Sequence, residues 1–263
     1  MPALYAHKRF GDAVASRLSG EVKEVVKKYP LQFRIGLQGP DPFFFYRPII
    51  KTHVTEFASE MHGENADIFF KKARKVIREK GMNSREYAFI LGFICHFVLD
   101  SECHPYVNEM AEELGVGHME VEGEFEKYLL RKDKKDALRH PIAKLIPTDI
   151  ATVKAFKSFF PNISEAEIKE SLVTYRIIKH VFTTPSKYKQ AAINTLLKIA
   201  GVYKKYYGLM HTYKDNEVCQ VSNEGLDERL GNAVPVAIEL ISNYDRSVRT
   251  GEALVERFKR IYD

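Results

Sequence analysis

Apolar residues recur at helical steps along almost the whole of this chain. Between residues 7 and 28, Phe10, Val14, Leu18, Val22 and Val25 fall three or four positions apart, which predicts an amphipathic helix. The stretch Gly39-Pro40-Asp41-Pro42-Phe43-Phe44-Phe45-Tyr46-Arg47-Pro48 then breaks the pattern with turn formers and aromatics, and reads as a loop. Helical periodicity resumes from about Thr52 to Glu79, with an interruption expected near Gly63 and closure at Gly81. Ser84 is placed to cap a helix over about 85–103, which Pro105 is expected to help end. Its segment Tyr87–Leu99 is the most apolar of the chain, yet too short to span a bilayer, so it reads as a buried central helix.

The second half keeps the same period. A helix is expected from His118 to about Arg131, and Ser164-Glu-Ala-Glu167 has the form of a capping box opening a helix to Phe182. Ser186 opens the next, to about Tyr207, and the segments 223–249 and 251–262 are predicted helical, with breaks at Pro235 and Gly251. No period-two alternation is long enough to predict a sheet, and no repeat or low-complexity tract stands out. The expected fold is therefore all-α, a single multi-helix domain over residues 1–263; a division near residue 145 is the alternative.

Composition adds little. A net charge of +5 on 263 residues is small, and no Lys/Arg tract is dense enough to argue for nucleic acid. The second half is mildly basic, which a solvated helix surface explains. Three cysteines, Cys95, Cys103 and Cys219, form no thiolate pair of the structural-zinc type and suit a reducing compartment. The first residues lack an apolar signal-type region, and no apolar run approaches about 20 residues. A cytoplasmic location without stable membrane insertion is the expectation.

The chemistry concentrates in one stretch. His96 and Asp100 lie one helical turn apart, as do His118 and Glu122, and His104 stays roughly in phase with His96 at about 100° per residue. A single His on an apolar face is ordinarily a packing or surface residue, which is the reading for His62, His140, His180 and His211 taken one at a time. Two His-x-x-x-acid pairs with a third His in phase are another matter. They predict imidazoles and carboxylates converging on a divalent metal, with zinc, iron or manganese suited to that ligand set. The Glu-x-x-His of di-iron bundles, the His-Glu-x-x-His of zincins, a contiguous His-Asp dipeptide and a Gly-rich phosphate loop are all missing.

Taken in order, His7, Asp41, His53, His96-x-x-x-Asp100, His104 and His118-x-x-x-Glu122 resemble the ligand series of the zinc-dependent phospholipases C, relatives of the S1/P1-type nucleases. Gly39-Pro40-Asp41 and His104-Pro105-Tyr106 fit the surrounding pattern. The resemblance implies a first zinc held by Asp41, His53, His96 and Asp100, and a second by His104, His118 and Glu122. It implies a third shared by His7 and Asp100. His53 and His62 are nine residues apart, on opposite sides of a straight helix, so only one should face the cluster. His53 has the family-like distance from Asp41. The family's secreted enzymes complete the third site with an amino-terminal Trp. This chain contains no Trp, so the amine of Pro2 or Met1, or water, would have to serve.

The implied activity is hydrolysis of phosphate esters, phosphodiesters first, by a zinc-bound hydroxide, with Asp41 orienting or deprotonating the nucleophile. The substrate would be a phosphate ester, with a phospholipid headgroup as one form. Phe43-Phe44-Phe45-Tyr46 would either line a pocket for a quaternary ammonium or pack the loop onto the helices. A single-strand nuclease or nucleotidase of the sister branch is the alternative reading, and the only one that involves nucleic acid; a non-catalytic metal-binding module of the same fold is the other.

Overall fold

The computed structural model describes residues 3–262. Its helices run α1 (Leu4–Arg17), α2 (Gly20–Lys28), α3 (Pro30–Gly36), α4 (His53–Gly63), α5 (Ala66–Lys80), α6 (Arg85–Glu113) and α7 (His118–Lys132). They continue with α8 (Ile150–Lys157), α9 (Glu165–Phe182), α10 (Lys187–Ile199), α11 (Tyr203–Tyr206) and α12 (Gln220–Thr250). No strand occurs among the described residues, so the fold is all-α.

Local signals set most of the boundaries. Ser84 Oγ accepts from Tyr87 N at the start of α6, and Ser164 and Glu167 form the reciprocal capping box of α9. Thr52 and Thr55 make an equivalent box at α4. The helix expected over 7–28 is two helices, because Leu18 and Ser19 are extended and Gly20 takes φ +60°. The interruption at Gly63 and the stop at Gly81 occur where expected.

Both interior prolines behave differently from expectation. Helix α6 continues through Pro105 to Glu113, and α12 through Pro235 to Thr250. A proline inside a helix removes one hydrogen bond and costs about 3 kcal/mol. Beyond it, Val107 and Met110 on α6, and Ala237, Leu240 and Ile241 on α12, are buried, and their packing outweighs that cost. The segment 251–262 is not a helix. It is extended apart from a 3₁₀ turn at Glu256–Lys259, and it lays Phe258 and Tyr262 into the core. Helix α10 likewise ends at Ile199, where Gly201 takes φ +70°, short of the expected Tyr207.

Helix α6 is the axis of the molecule, with every residue from Tyr87 to Ser101 buried. Helices α1, α3, α5, α7, α8 and α12 pack around it. The α3 crossing is the tightest: a Cβ on Gly36 would lie 2.1 Å from Phe89 O, and one on Gly92 2.2 Å from Phe33 O. Two glycines therefore let the helix backbones touch, bringing the loop after α3, and Asp41 with it, against the middle of α6. No helix is long and apolar enough to cross a membrane. Gly92→Ala is expected to destabilise the protein by about 1–3 kcal/mol through overpacking, read as a lowered Tm; an unchanged Tm would mean that the contact is slack.

Candidate metal centre

Four helices and one turn bring ionisable groups to a common point beside α6. His96, Asp100 and His104 come from α6 at successive turns. The 3₁₀ turn Asp41–Phe45 supplies Asp41, α4 supplies His62, α7 supplies His118 and Glu122, and α1 supplies His7. All but His118 are buried; its side chain is 33% exposed.

The groups fall into two clusters whose potential ligand atoms lie within 4.8 Å of one another: Asp41, His62, His96 and Asp100, and His104, His118 and Glu122. In the first, His62 Nε2 is 3.1 Å from Asp41 Oδ1, and His96 Nε2 is 3.1 Å from Asp100 Oδ2 and 4.0 Å from Asp41 Oδ1. In the second, Glu122 Oε1 is 3.4 Å from His104 Nε2 and 3.5 Å from His118 Nε2. Asp100 joins the two, with Oδ1 3.1 Å from His7 Nε2 and 3.8 Å from His104 Nε2. A void of about 20 Å³, room for one water or ion, opens among His7, Asp100, His104 and Glu122.

His53 corrects the sequence-based assignment. It stands at the first turn of α4, its side chain 64% exposed, facing Glu167 at 3.1 Å. One helix cannot turn both residues inward, as the nine-residue separation requires. The inward one is His62, which shares its face with the buried Val54, Ala58 and Met61. Spacing from Asp41 favoured His53, but the structure brings His62, not His53, to the cluster. The amines of Met1 and Pro2, expected at a third site, lie outside the described residues.

The donor set fits a divalent cation. Asp41 Oδ2, Asp100 Oδ2, His7 Nδ1 and both ring nitrogens of His96 are buried without a hydrogen-bond partner among the described residues. The 3.1 Å approach of His96 to Asp100 is thus proximity without hydrogen-bond alignment. Orphaned buried groups of this kind are costly, and a shared cation satisfies them together. His62 Nδ1 donates to Ala58 O at 2.7 Å and His104 Nδ1 to Tyr262 O at 3.0 Å. A carbonyl can only accept, so both imidazoles carry a proton on Nδ1 and turn Nε2 toward the cluster; His62 Nε2 there meets Asp41 Oδ1, a contact that holds a second proton until a cation replaces it. His118 Nδ1 is held similarly by Asn108 Oδ1 at 2.7 Å.

Electrostatics point the same way. Burial pushes His96 down to about 3, so it is neutral. Burial works to raise both Asp100 and Glu122, yet each is held well below the usual carboxylate range, Asp100 chiefly by His96 and His104 and Glu122 by the positive amino terminus together with His104 and His118. For His62 burial lowers the pKa, but the Asp41 carboxylate outweighs it and the net shift is upward. Without metal, Asp100 and Glu122 stay ionised, His96 stays neutral and His62 is shifted toward its protonated form.

Gly39 explains the Gly-Pro-Asp motif. Its φ is +49°, and a Cβ there would lie 2.0 Å from the His96 ring. Sequence reasoning passed over Tyr262, fully buried, whose backbone joins both clusters: its carbonyl accepts from His104 and its N–H donates to His62 O at 3.2 Å. It passed over Glu126 too, one turn beyond Glu122 on α7. Glu126 Oε1 accepts from Tyr5 N, at the start of α1, at 2.6 Å. Its Oε2 accepts from Lys179 Nζ and His211 Nε2, each at 2.9 Å. Burial opposes its ionisation, but Lys179 and His211 lower it to about 2. The carboxylate thereby anchors the helix end that carries His7.

Of the aromatic run, Phe43 and Phe45 serve packing: Phe43 meets Phe156 and Phe160, and Phe45 stacks on Tyr175 at 4.0 Å. Phe44 turns outward, its ring 5.2 Å from His62. With Pro48, Ile49, Met119, Tyr206 and Leu209 it lines a cleft of about 730 Å³ that adjoins the centre. Arg47 pairs with Glu170.

An all-α fold whose central helix gathers His, Asp and Glu from four other elements has the makings of a metal-binding centre. A family model described as zinc dependent phospholipase C matches residues 6–174, well over half of the chain, and the protein belongs to that family. It is thus a phospholipase C-like phosphoric ester hydrolase. No curated protein and no solved structure matches the chain.

Two outcomes are expected. His62→Ala will lose bound metal and His53→Ala will retain it, as read by metal content after dialysis; the reverse would restore the spacing-based assignment. Metal affinity, measured by chelator competition, will begin to fall above the ordinary imidazole range as pH is lowered, because the raised His62 takes a proton before an unperturbed histidine would. A decline confined to pH values below about 5 would assign the proton to another group.

Proposed function

We propose that the centre binds zinc, at two positions and in part a third, and hydrolyses phosphodiesters of the phospholipid type. The observation that carries this reading is the set of buried ligand atoms on Asp41, His96 and Asp100 that find no hydrogen-bond partner among the described residues, near an open cleft with one apolar wall. Asp41, His62, His96 and Asp100 would hold one ion, His104, His118 and Glu122 a second, and His7 with Asp100 a third. Zinc there supplies Lewis acidity, offsetting charge on phosphoryl oxygens and acidifying water near neutral pH.

The chain's own groups do the rest. Asp41, buried and with Oδ2 directed at no donor, is placed to orient the attacking water and accept its proton. Asp100 stays ionised and ties the ligand groups of both clusters into one unit. Ala58 and Tyr262 fix the tautomers of His62 and His104, so neither ring spends its Nε2 elsewhere. Phe44, Ile49, Ile50 and Met119 give the cleft an apolar wall, which accommodates the glycerol end of a lipid better than a stack of bases.

The test is hydrolysis by zinc-replete protein of phosphatidylcholine, a chromogenic phosphodiester and single-stranded DNA. Cleavage of the first two, with DNA a poor substrate, is expected; preferential cleavage of DNA would move the protein to the nuclease branch. Asp100→Asn is expected to reduce kcat/KM by about a hundredfold or more, since it loosens every ligand group that Asp100 bridges. Near-wild-type zinc content and activity in that variant would refute the assignment.

A further inference from the structure

Helix α10 lies beyond the family-matched stretch, and its outer face is unlike an ordinary solvated surface. Gln190, Ile193 and Leu197 turn inward, the last two onto the small cluster of Phe182, Leu209 and Met210. On the opposite side Tyr188, Leu196 and Ile199 are 90%, 65% and 79% exposed. At about 100° per residue, Tyr188, Ala192, Leu196 and Ile199 fall within roughly 80° of one another. Lys189 flanks this stripe on one side, and Lys187 and Lys198 on the other. A helix apolar on two faces is normally buried on both, and here no described residue covers the outer one.

The charge around this helix is one-sided. From Ser171 to Lys214 the sequence contains no Asp or Glu, against eight Lys and Arg, of which Lys179 is buried against Glu126. Two further apolar residues of this stretch, Ile177 and Val181 on α9, are 54% and 40% exposed. The segment is also joined to the catalytic cleft: Tyr206 and Leu209 line it, and Tyr206 Oη donates to Pro48 O at 2.5 Å. Next to Pro48, Ile49 and Ile50 line the cleft while remaining 71% and 56% exposed. Carboxylates enter the rim from α4, where Glu56 is paired with Lys51 at 2.6 Å and Glu60 stands one turn on.

We propose that α10, with the Ile49–Ile50 rim, docks the protein on an anionic lipid surface. The apolar stripe would sink into the headgroup boundary while the flanking lysines meet lipid phosphates and carboxylates, which is how a basic amphipathic helix lies in a membrane interface. The inference rests on the lipid-phosphodiester reading, since docking would bring the cleft to its substrate. A second copy of the chain is a poorer occupant, because two acid-free, lysine-flanked faces repel. Nucleic acid is poorer too: it stacks on aromatic platforms, and this stripe is mainly aliphatic.

Because the natural chain contains no Trp, one introduced Trp reports its own surroundings. Ile199→Trp and, as control, Ile150→Trp on α8, 70% exposed, are mixed with vesicles of phosphatidylcholine containing about a third phosphatidylserine, and emission is read within seconds. A blue shift with quenching by brominated acyl chains is expected at 199 and not at 150, weaker on pure phosphatidylcholine and at high salt. Leu196→Asp with Ile199→Asp should weaken vesicle binding at least about tenfold, the equivalent of 1.4 kcal/mol, while hydrolysis of a soluble chromogenic phosphodiester is unchanged. No shift at 199, equal shifts at both positions, a shift caused instead by single-stranded DNA, or a dimer dissolved by the Asp variant would each overturn the proposal. Docking with no hydrolysis of any phosphodiester would instead overturn the functional reading and leave the lipid surface standing.

Discussion

Carboxylates and imidazoles that have no water are the constraint around which this protein is organised. Asp41, Asp100 and Glu122 are 0–5% exposed, and His7, His62, His96 and His104 are no more than 4% exposed. Burying ionised groups costs several kcal/mol each unless opposite charge and hydrogen bonds compensate. Imidazole compensates only in part here, since His96 is held neutral and several ligand atoms face nothing. The arrangement is coherent if a divalent cation completes it, and that chemistry is what the family relationship implies.

Much of the remaining structure serves to hold those groups in place. The Gly36–Gly92 contact brings the Asp41 turn against α6, and Gly39 leaves room for the His96 ring. The C-terminal segment runs between the clusters and fixes His104 through Tyr262 O. Glu126, anchored by Lys179 and His211, secures the start of α1 and hence His7. These supports come from opposite ends of the sequence, so the centre exists only once the whole chain has folded.

That long-range character decides what could be read in advance. Helical period, serine caps and the Gly63 and Gly81 breaks are local, and they gave the helices directly. Pro105, Pro235 and the segment 251–262 were misread because burial on neighbouring helices, invisible to local pattern, set the outcome. In the site, the pairs His96/Asp100 and His118/Glu122 were legible because a helix fixes their spacing. His62 was read as a packing or surface residue, although a signal was there: it is in phase with Val54 and Ala58, whereas His53 is not. Spacing from Asp41 is a loop property and carries less information than the face of a helix. Tyr262 and Glu126 contribute through tertiary contacts, and no local motif marks them.

The proposed docking surface would extend the same logic outward, from a centre for phosphoryl charge to a helix that meets the molecules carrying it. The account stands on the identity of the groups that meet at that centre. A crystal structure of the zinc-loaded protein, with anomalous density measured on both sides of the zinc edge, tests it most directly. The account predicts zinc peaks coordinated by His62, Asp41, His96 and Asp100, and by His104, His118 and Glu122, with His53 in solvent. Absence of anomalous density between α6 and α7, or a zinc held by His53, would contradict it.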